Sequence, residues 1–233
     1  MKKNSSRIKK LKTIIILYRI ACIVLMLMLL FSFIFKPKSK PTVVKKEIMN
    51  PNIVMLGDSI TNYYDLDKYY GNDKLMVNSG INGNKANDIL NDMKNRVYVY
   101  NPSKVFLLIG INNFLHEDIT PEEMVDQIDK IVTEINDKLP NTKIYIESIY
   151  PINDTWRTKC NPNVNATEEV NSKVGKTNIL LYDYCEENGY KYIDVYSSLV
   201  DDNYSLNSDY SEDGLHLNDN GYQVVTKILK KYM

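Results

Sequence analysis

A chain of 233 residues suits one folded catalytic-size domain plus a short appendage. Its net charge is zero, but the signs are segregated: 12 of the 29 basic residues fall in residues 1–46, which hold no acid, leaving 17 bases against 29 acids in residues 47–233. A body that acidic lacks the cationic surface phosphates need, so nucleic acid is excluded as an expected partner.

Met1–Lys12 carries six bases, and Thr13–Phe35 is almost wholly apolar with Arg19 as its only charge. Roughly 20 apolar residues span a hydrocarbon core, and an Arg near one end snorkels to the headgroups. A cleaved signal peptide is the rival reading, but its apolar region runs about 7–15 residues and ends at a small-residue site. Ile20–Phe35 alone is longer, and Ser32-Phe-Ile-Phe-Lys36 offers no A-x-A pattern. The expected organisation is a basic cytoplasmic N-terminus over 1–12, one transmembrane signal anchor over 13–35, a basic stalk over 36–49 and a folded domain over 50–233. Bases flank the span on both sides, so the positive-inside bias is slight. The domain is placed outside the cell because an N-terminal anchor usually sends one long following domain across. Frequent Lys, Asn, Ile and Tyr point to an AT-rich bacterial genome. Of three cysteines, Cys22 lies in the span, which leaves Cys160 and Cys185 as a pair that spacing alone does not settle.

Beyond the stalk, β-branched and aliphatic runs alternate with helical patterns. Asn52–Leu56 reads as a strand and runs into Gly57-Asp58-Ser59. Leu75–Asn78 is the second, ending in Asn78-Ser-Gly80-Ile-Asn-Gly83, and a helical pattern follows over Lys85–Tyr98. Val105–Ile109 is the third strand, followed by Gly110-Ile-Asn112-Asn113; His116, beside Glu117 and Asp118, reads as a surface-loop residue. Pro121–Leu139 is helical, with Thr120 as N-cap, Pro121 at the first position and a stripe of Met124, Ile128, Ile131, Val132 and Ile135. Lys143–Ile149 and Tyr190–Val195 read as strands, separated by a loop at Pro151–Val164 and a helix at Thr167–Glu187. Asp213-Gly-Leu-His216 precedes a last helix at Asp219–Tyr232. Strand then helix, repeated with near-continuous apolar strands, argues a parallel sheet covered on both faces, whose working site lies at the carboxyl ends of the strands.

The residues with chemistry gather at those ends. An Asp three positions before a His can hold the imidazole from a single loop, which leaves the other ring nitrogen to take a serine proton. A short helix beginning at Ile60-Thr61, behind the serine, would point N–H groups at an anionic intermediate. The Gly80 N–H can donate to an oxyanion, and the Asn112 amide can donate without joining proton transfer. Taken singly, each has a plainer use: Asp58-Ser59 as a helix cap, Gly80 and Asn112 as turn formers. No CxxC or Cys/His cluster indicates a metal site.

In order and position these four segments resemble the blocks of the SGNH/GDSL hydrolase family: Gly-Asp-Ser at 57–59, the glycine at 80, Gly-x-Asn at 110–112 and Asp-x-x-His at 213–216. The resemblance implies a flavodoxin-like three-layer α/β/α fold with a five-stranded parallel sheet. It also implies Ser59 as nucleophile, His216 as general base and Asp213 as the group orienting the imidazole, with no cofactor or metal. Ser59 N–H, Gly80 N–H and the Asn112 amide would form the oxyanion hole. Asn113 stands where the family often has Asp, a change expected to touch local loop bonding only. The function expected is a membrane-anchored serine esterase acting on short acyl esters, such as acetyl groups on cell-envelope glycans. Asp58, Tyr64, Trp156 and Arg157 are its candidate substrate contacts, with Tyr63 and Tyr69 as further aromatics, against the plain reading that the tyrosines pack a surface. The alternatives are an O-acyltransferase, beside a multi-span membrane protein that supplies the acyl group, and a non-catalytic surface binding module.

Overall fold

Among the described residues, five strands form one sheet: β1 (Ile53–Gly57), β2 (Met76–Gly80), β3 (Lys104–Leu108), β4 (Lys143–Glu147) and β5 (Lys191–Ile193), all parallel and ordered β2-β1-β3-β4-β5. The computed structural model describes residues 24–26, 52–71, 75–160, 162 and 166–233. Of the N-terminal unit, Met1–Ile48, it describes only Val24–Met26, which are helical and exposed; the anchor and stalk expected over 13–49 otherwise lie outside the described residues. Among the described residues, no helix is long and apolar enough to cross a membrane.

The helices are α1 (Ser59–Asn62), α2 (Leu66–Tyr70), α3 (Ala86–Asn91), α4 (Met93–Arg96), α5 (Ile111–His116), α6 (Pro121–Lys138), α7 (Thr167–Asn188), α8 (Tyr196–Leu199) and α9 (Asp219–Leu229). From β1 the chain steps to β2 on one side, and every later crossover moves the other way. Right-handed crossovers therefore put α1 and α2 on one face of the sheet and α3 to α7 on the other. Contacts agree: α6 adjoins both α3 and α7, while Tyr64, just past α1, stacks on Tyr222 of α9. The strand order reverses between β1 and β3, so ligands are expected outside the carboxyl ends of those two strands.

Each β1 residue is buried, as a strand covered on both faces must be. Helix α6 starts with the capping box its sequence promises: Glu123 N–H donates to Thr120 Oγ1 at 3.2 Å, and Thr120 N–H donates to Glu123 Oε2 at 2.9 Å. All five residues of its apolar stripe are buried.

Several expected spans are corrected. The helix over Lys85–Tyr98 divides at Asp92, whose carboxylate accepts from Asn95 Nδ2 at 2.5 Å and whose backbone leaves helical geometry (φ −130°, ψ 24°). A short polar side chain that bonds locally favours such a break over continuation. Strands four and five each stop two residues early because side chains take over the backbone. Asn178 of α7 accepts from Ile149 N–H at 2.7 Å and donates to Ile149 C=O at 2.9 Å. Ser148 Oγ accepts from the N–H groups of Val195 and Tyr196, at 2.9 and 2.7 Å. Cys160 and Cys185 are both free: Cys160 is exposed, and Cys185 lies in the core, where burial pushes its thiol up to about 12.

Candidate active site

Gly57 ends β1 because α1 turns back over it: a Cβ there would stand 2.2 Å from Thr61 Oγ1 and 2.4 Å from the Leu108 carbonyl oxygen. Asp58 caps the turn, accepting from Ile60 N–H at 2.9 Å. That leaves Ser59 at the first helical position, where a backbone N–H has no intrahelical acceptor.

The partner loop is built around Gly214, whose φ of +86° and tight quarters exclude a side chain; an added Cβ would meet Asn153 Oδ1 at 2.3 Å and Trp156 N at 2.5 Å. Ser211 Oγ ties the loop to itself, accepting from Gly214 N–H at 2.8 Å and donating to His216 C=O at 2.7 Å. Asn153 N–H donates to Gly214 C=O at 2.9 Å and fastens the loop to the segment after β4.

Across 157 residues of sequence, His216 Nε2 lies 2.9 Å from Ser59 Oγ, and His216 Nδ1 lies 2.6 Å from Asp213 Oδ2. The other carboxylate oxygen of Asp213 accepts from Leu215 N–H (2.9 Å) and His216 N–H (2.8 Å). Partial burial works to raise the Asp213 pKa, but the ring and the two backbone donors outweigh it and hold the carboxyl below its ordinary range. An ionised carboxylate only accepts hydrogen bonds, so the Nδ1 facing it carries the proton. In the neutral ring, Nε2 is then the lone pair facing the serine hydroxyl.

Asn112 is buried at the start of α5 and donates one amide hydrogen to Asn84 C=O at 3.1 Å, keeping its second hydrogen for another acceptor. Gly80 differs from expectation. Its missing side chain admits not a ligand but α1 itself, since a Cβ would meet Asn62 N at 2.2 Å, and its N–H already donates to Asn78 Oδ1 at 3.0 Å. The same Asn78 donates to the carbonyls of Thr61 (2.7 Å) and Tyr64 (3.0 Å), anchoring the end of α1 on β2. Asn113 is spent within the scaffold, accepting from Ala86 N–H (3.2 Å) and donating to Glu117 Oε2 (2.7 Å).

Two of the expected substrate contacts are corrected. Tyr64 is buried, its hydroxyl 2.6 Å from Thr226 Oγ1 and 2.7 Å from Tyr70 OH; it is core, because residues about 160 positions away cover it. Asp58 is wholly buried beneath the serine, and desolvation pushes its carboxyl up to about 7. Tyr69 is held at the surface by Asp219, to which its hydroxyl donates at 2.7 Å. Trp156 does reach the site, meeting the His216 ring edge-on at 5.7 Å between centroids, and its indole N–H is buried with no acceptor among the described residues. Tyr63, half exposed, meets the same ring at 5.0 Å from another direction. Arg157, next to Trp156, lines a separate open cavity of about 620 Å³ with Tyr196, Asn203 and Tyr204. His116 is exposed at the end of α5. Among the described residues, no group of three or more His, Cys, Asp or Glu is placed to hold a metal ion.

Sequence reasoning missed Arg96, which is 2% exposed and bonded beneath the site. A basic residue at the end of a helical pattern carries no signal of burial.

The sequence matches the GDSL-like lipase/acylhydrolase family over residues 55–224. It is 27% identical over 180 residues to the N-acylneuraminate cytidylyltransferase of Escherichia coli O18:K1:H7, a match that covers 75% of this chain but only 38% of that protein. A Streptococcus pneumonia structure described as a platelet activating factor superposes with a TM-score of 0.71 at 29% identity, covering 81% of this chain and 86% of that one. A GDSL-like lipase from Bacteroides thetaiotaomicron shares the fold with a TM-score of 0.65 at 18% identity, over 78% of this chain and 87% of its own. With the motif residues meeting in space and the family match spanning most of the chain, this protein belongs to the GDSL-like lipase/acylhydrolase family, a class of serine hydrolases.

Proposed function

We propose that the chain is a membrane-anchored, extracytoplasmic esterase that removes short acyl groups from cell-envelope glycans through Ser59, His216 and Asp213. One observation carries the reading: the unbroken hydrogen-bonded line from Asp213 Oδ2 through both nitrogens of His216 to Ser59 Oγ. Ser59 Oγ attacks the ester carbonyl as its proton passes to His216 Nε2, and the alcohol leaves with that proton. Water, deprotonated by the same nitrogen, then releases the acyl group. The oxyanion of each tetrahedral intermediate is held by the Ser59 N–H and the free Asn112 amide hydrogen. Gly80 adds to this only by sharing its N–H between Asn78 Oδ1 and the oxyanion.

Polar groups border the end of α1: Asn62 donates to Asn82 Oδ1 at 2.8 Å, and Asn82 donates to Tyr63 OH at 3.0 Å. Such a border favours a short acyl group over a long one. Tyr63 and Trp156 beside the imidazole suit a sugar as the alcohol, because ring faces cover the apolar face of a pyranose. The curated relative is named for a reaction on N-acylneuraminate, an acidic sugar, and a segment similar to this chain inside it supports the same substrate class. The anchor rests on the apolar run Thr13–Phe35 and its basic flanks.

Ser59→Ala decides the mechanism. Purified residues 47–233 are expected to hydrolyse nitrophenyl acetate faster than longer esters, and the variant is expected to lose at least about 10³–10⁴-fold in turnover. Near-normal turnover in Ser59→Ala would end the reading. Mass spectrometry of an acetylated glycan tests the substrate: release of acetate to water supports hydrolysis, and transfer to a second glycan overturns it.

A further inference from the structure

Arg96 lies at the end of α4, within the core, and its guanidinium reaches three places at once. Nη2 donates to the carbonyl oxygen of Gly57 at 2.6 Å and to that of Ser79; Nη1 donates to Asn84 Oδ1 at 2.6 Å. Ser79 Oγ returns a bond to the Arg96 carbonyl at 2.9 Å. Each of those places adjoins a proposed oxyanion donor. Gly57 is two residues before Ser59, Ser79 is one before Gly80, and Asn84 is the residue whose carbonyl accepts from Asn112. Burial pushes the guanidinium pKa down, while the carboxylates of Asp92, Asp58 and Asp88 push it back; an Arg in such surroundings stays charged.

A cation in a core is costly unless bonded, and an apolar side chain could fill the same volume. What an apolar residue, or a lysine, cannot supply is a rigid planar fork that fixes three acceptors relative to one another. Gly57 and Ser79 end adjacent strands held by the ladder between β1 and β2, and Asn84 lies in the turn beyond; Arg96 ties the side chain of that turn to both strand ends at once. We propose that Arg96 is the positioning residue of the oxyanion site, setting the Ser59 N–H and the Asn112 amide at a common distance from the developing charge. It touches no reacting atom. The proposal rests on the esterase reading above and deepens it.

The test compares purified wild type, Arg96→Lys, Asn84→Ala, Asn112→Ala and the Arg96→Lys/Asn112→Ala double variant on nitrophenyl acetate. Alongside kcat and KM, two inhibitors are titrated: a trifluoromethyl ketone, whose serine adduct carries an oxyanion, and acetate, which forms no adduct. Displacements of about 1 Å cost on the order of 10²-fold in rate, so Arg96→Lys is expected to lower kcat about 10–100-fold with KM changed less than about threefold. Ketone affinity falls by the same factor and acetate affinity stays. The double variant loses less than the product of the two single losses, since Arg96 acts partly through Asn112. A residue needed only for stability would shift the melting temperature and leave the ratio of ketone to acetate affinity alone. If Arg96→Lys does not fold, Asn84→Ala takes over: it removes only the side chain linking Arg96 to the Asn112 acceptor and is expected to lower kcat and ketone affinity together, about 3–10-fold. A folded Arg96→Lys with kcat within about twofold of wild type, fully multiplicative losses in the double variant, or an Asn84→Ala with unchanged kcat each overturns the proposal. Failure of the esterase reading looks different: wild type itself would be inactive on esters, or Ser59→Ala would be active.

Discussion

Asn112 commits one amide hydrogen to the Asn84 carbonyl and is buried at the start of α5, so its second hydrogen is held in direction before any substrate arrives. Such a fixed donor is worth most when charge develops on the substrate oxygen. Asn112→Ala is therefore expected to lower kcat/KM by roughly 10²–10³-fold, mostly in kcat, as measured on nitrophenyl acetate. At this scale the sequence was most legible where residues share one turn: Asp213 and His216 lie three apart and bond within one loop. Ser59 was legible because the Gly57-Asp58 turn that exposes it is also local. Tyr64 and Asp58 were read as candidate substrate contacts and are buried instead, Tyr64 by Tyr222 and Thr226 from the far end of the chain. Burial by a distant element leaves no mark on the residue it covers.

The strands were legible in number and type but not in their ends, while the short helices α2, α5 and α8 went unread and Lys85–Tyr98 was read as one helix where there are two. Apolar runs set where β4 and β5 start, while the side chains of Asn178 and Ser148 set where they stop, by taking backbone groups that a further strand residue would use. Asn171 repeats the device at Ile152, accepting from its N–H at 2.9 Å and donating to its C=O at 2.8 Å. Two asparagines, seven positions and thus two helical turns apart on α7, serve in place of a neighbouring strand for the segment 149–152. That segment leads to Asn153, which fastens the His216 loop. Asn178→Ala would leave a buried N–H and a buried C=O of Ile149 without partners, at about 1–3 kcal/mol each. We expect a loss of about 2–5 kcal/mol in urea unfolding, with kcat of the folded fraction changed little, because Asn171 still holds the end nearest the site. A loss under about 0.5 kcal/mol would mean that water reaches Ile149 and the segment needs no such neighbour.

Among the described residues of the acidic body, Asp58 and Glu147 are carboxyls that water does not reach. Burial raises Glu147, at the end of β4, from an ordinary 4.5 to about 7, against the lowering effect of the hydrogen bond it accepts from Tyr150 OH at 2.6 Å. Burial raises Asp58 from 3.8 to about 7 as well. A group whose carboxyl binds its proton more tightly folded than unfolded adds stability that is complete below the unfolded pKa. That stability is lost as pH rises through the folded pKa. For Glu147 the window runs from 4.5 to about 7, and its contribution is on the order of 3 kcal/mol. Asp213 has the opposite sign, its lowered pKa adding stability that disappears only in acid, below that window. The general repulsion of the acidic surface also weakens the fold as pH rises, so the wild-type curve alone does not isolate Glu147. The difference between wild type and Glu147→Gln does, because the surface charge is common to both. Measured by urea unfolding, the advantage of wild type over the variant should shrink steadily from pH 4.5 to about 7 and stay constant above about pH 8, where the buried carboxylate is ionised. A difference that is flat across that range would mean that Glu147 titrates as an ordinary carboxylate, and that the end of β4 is open to water.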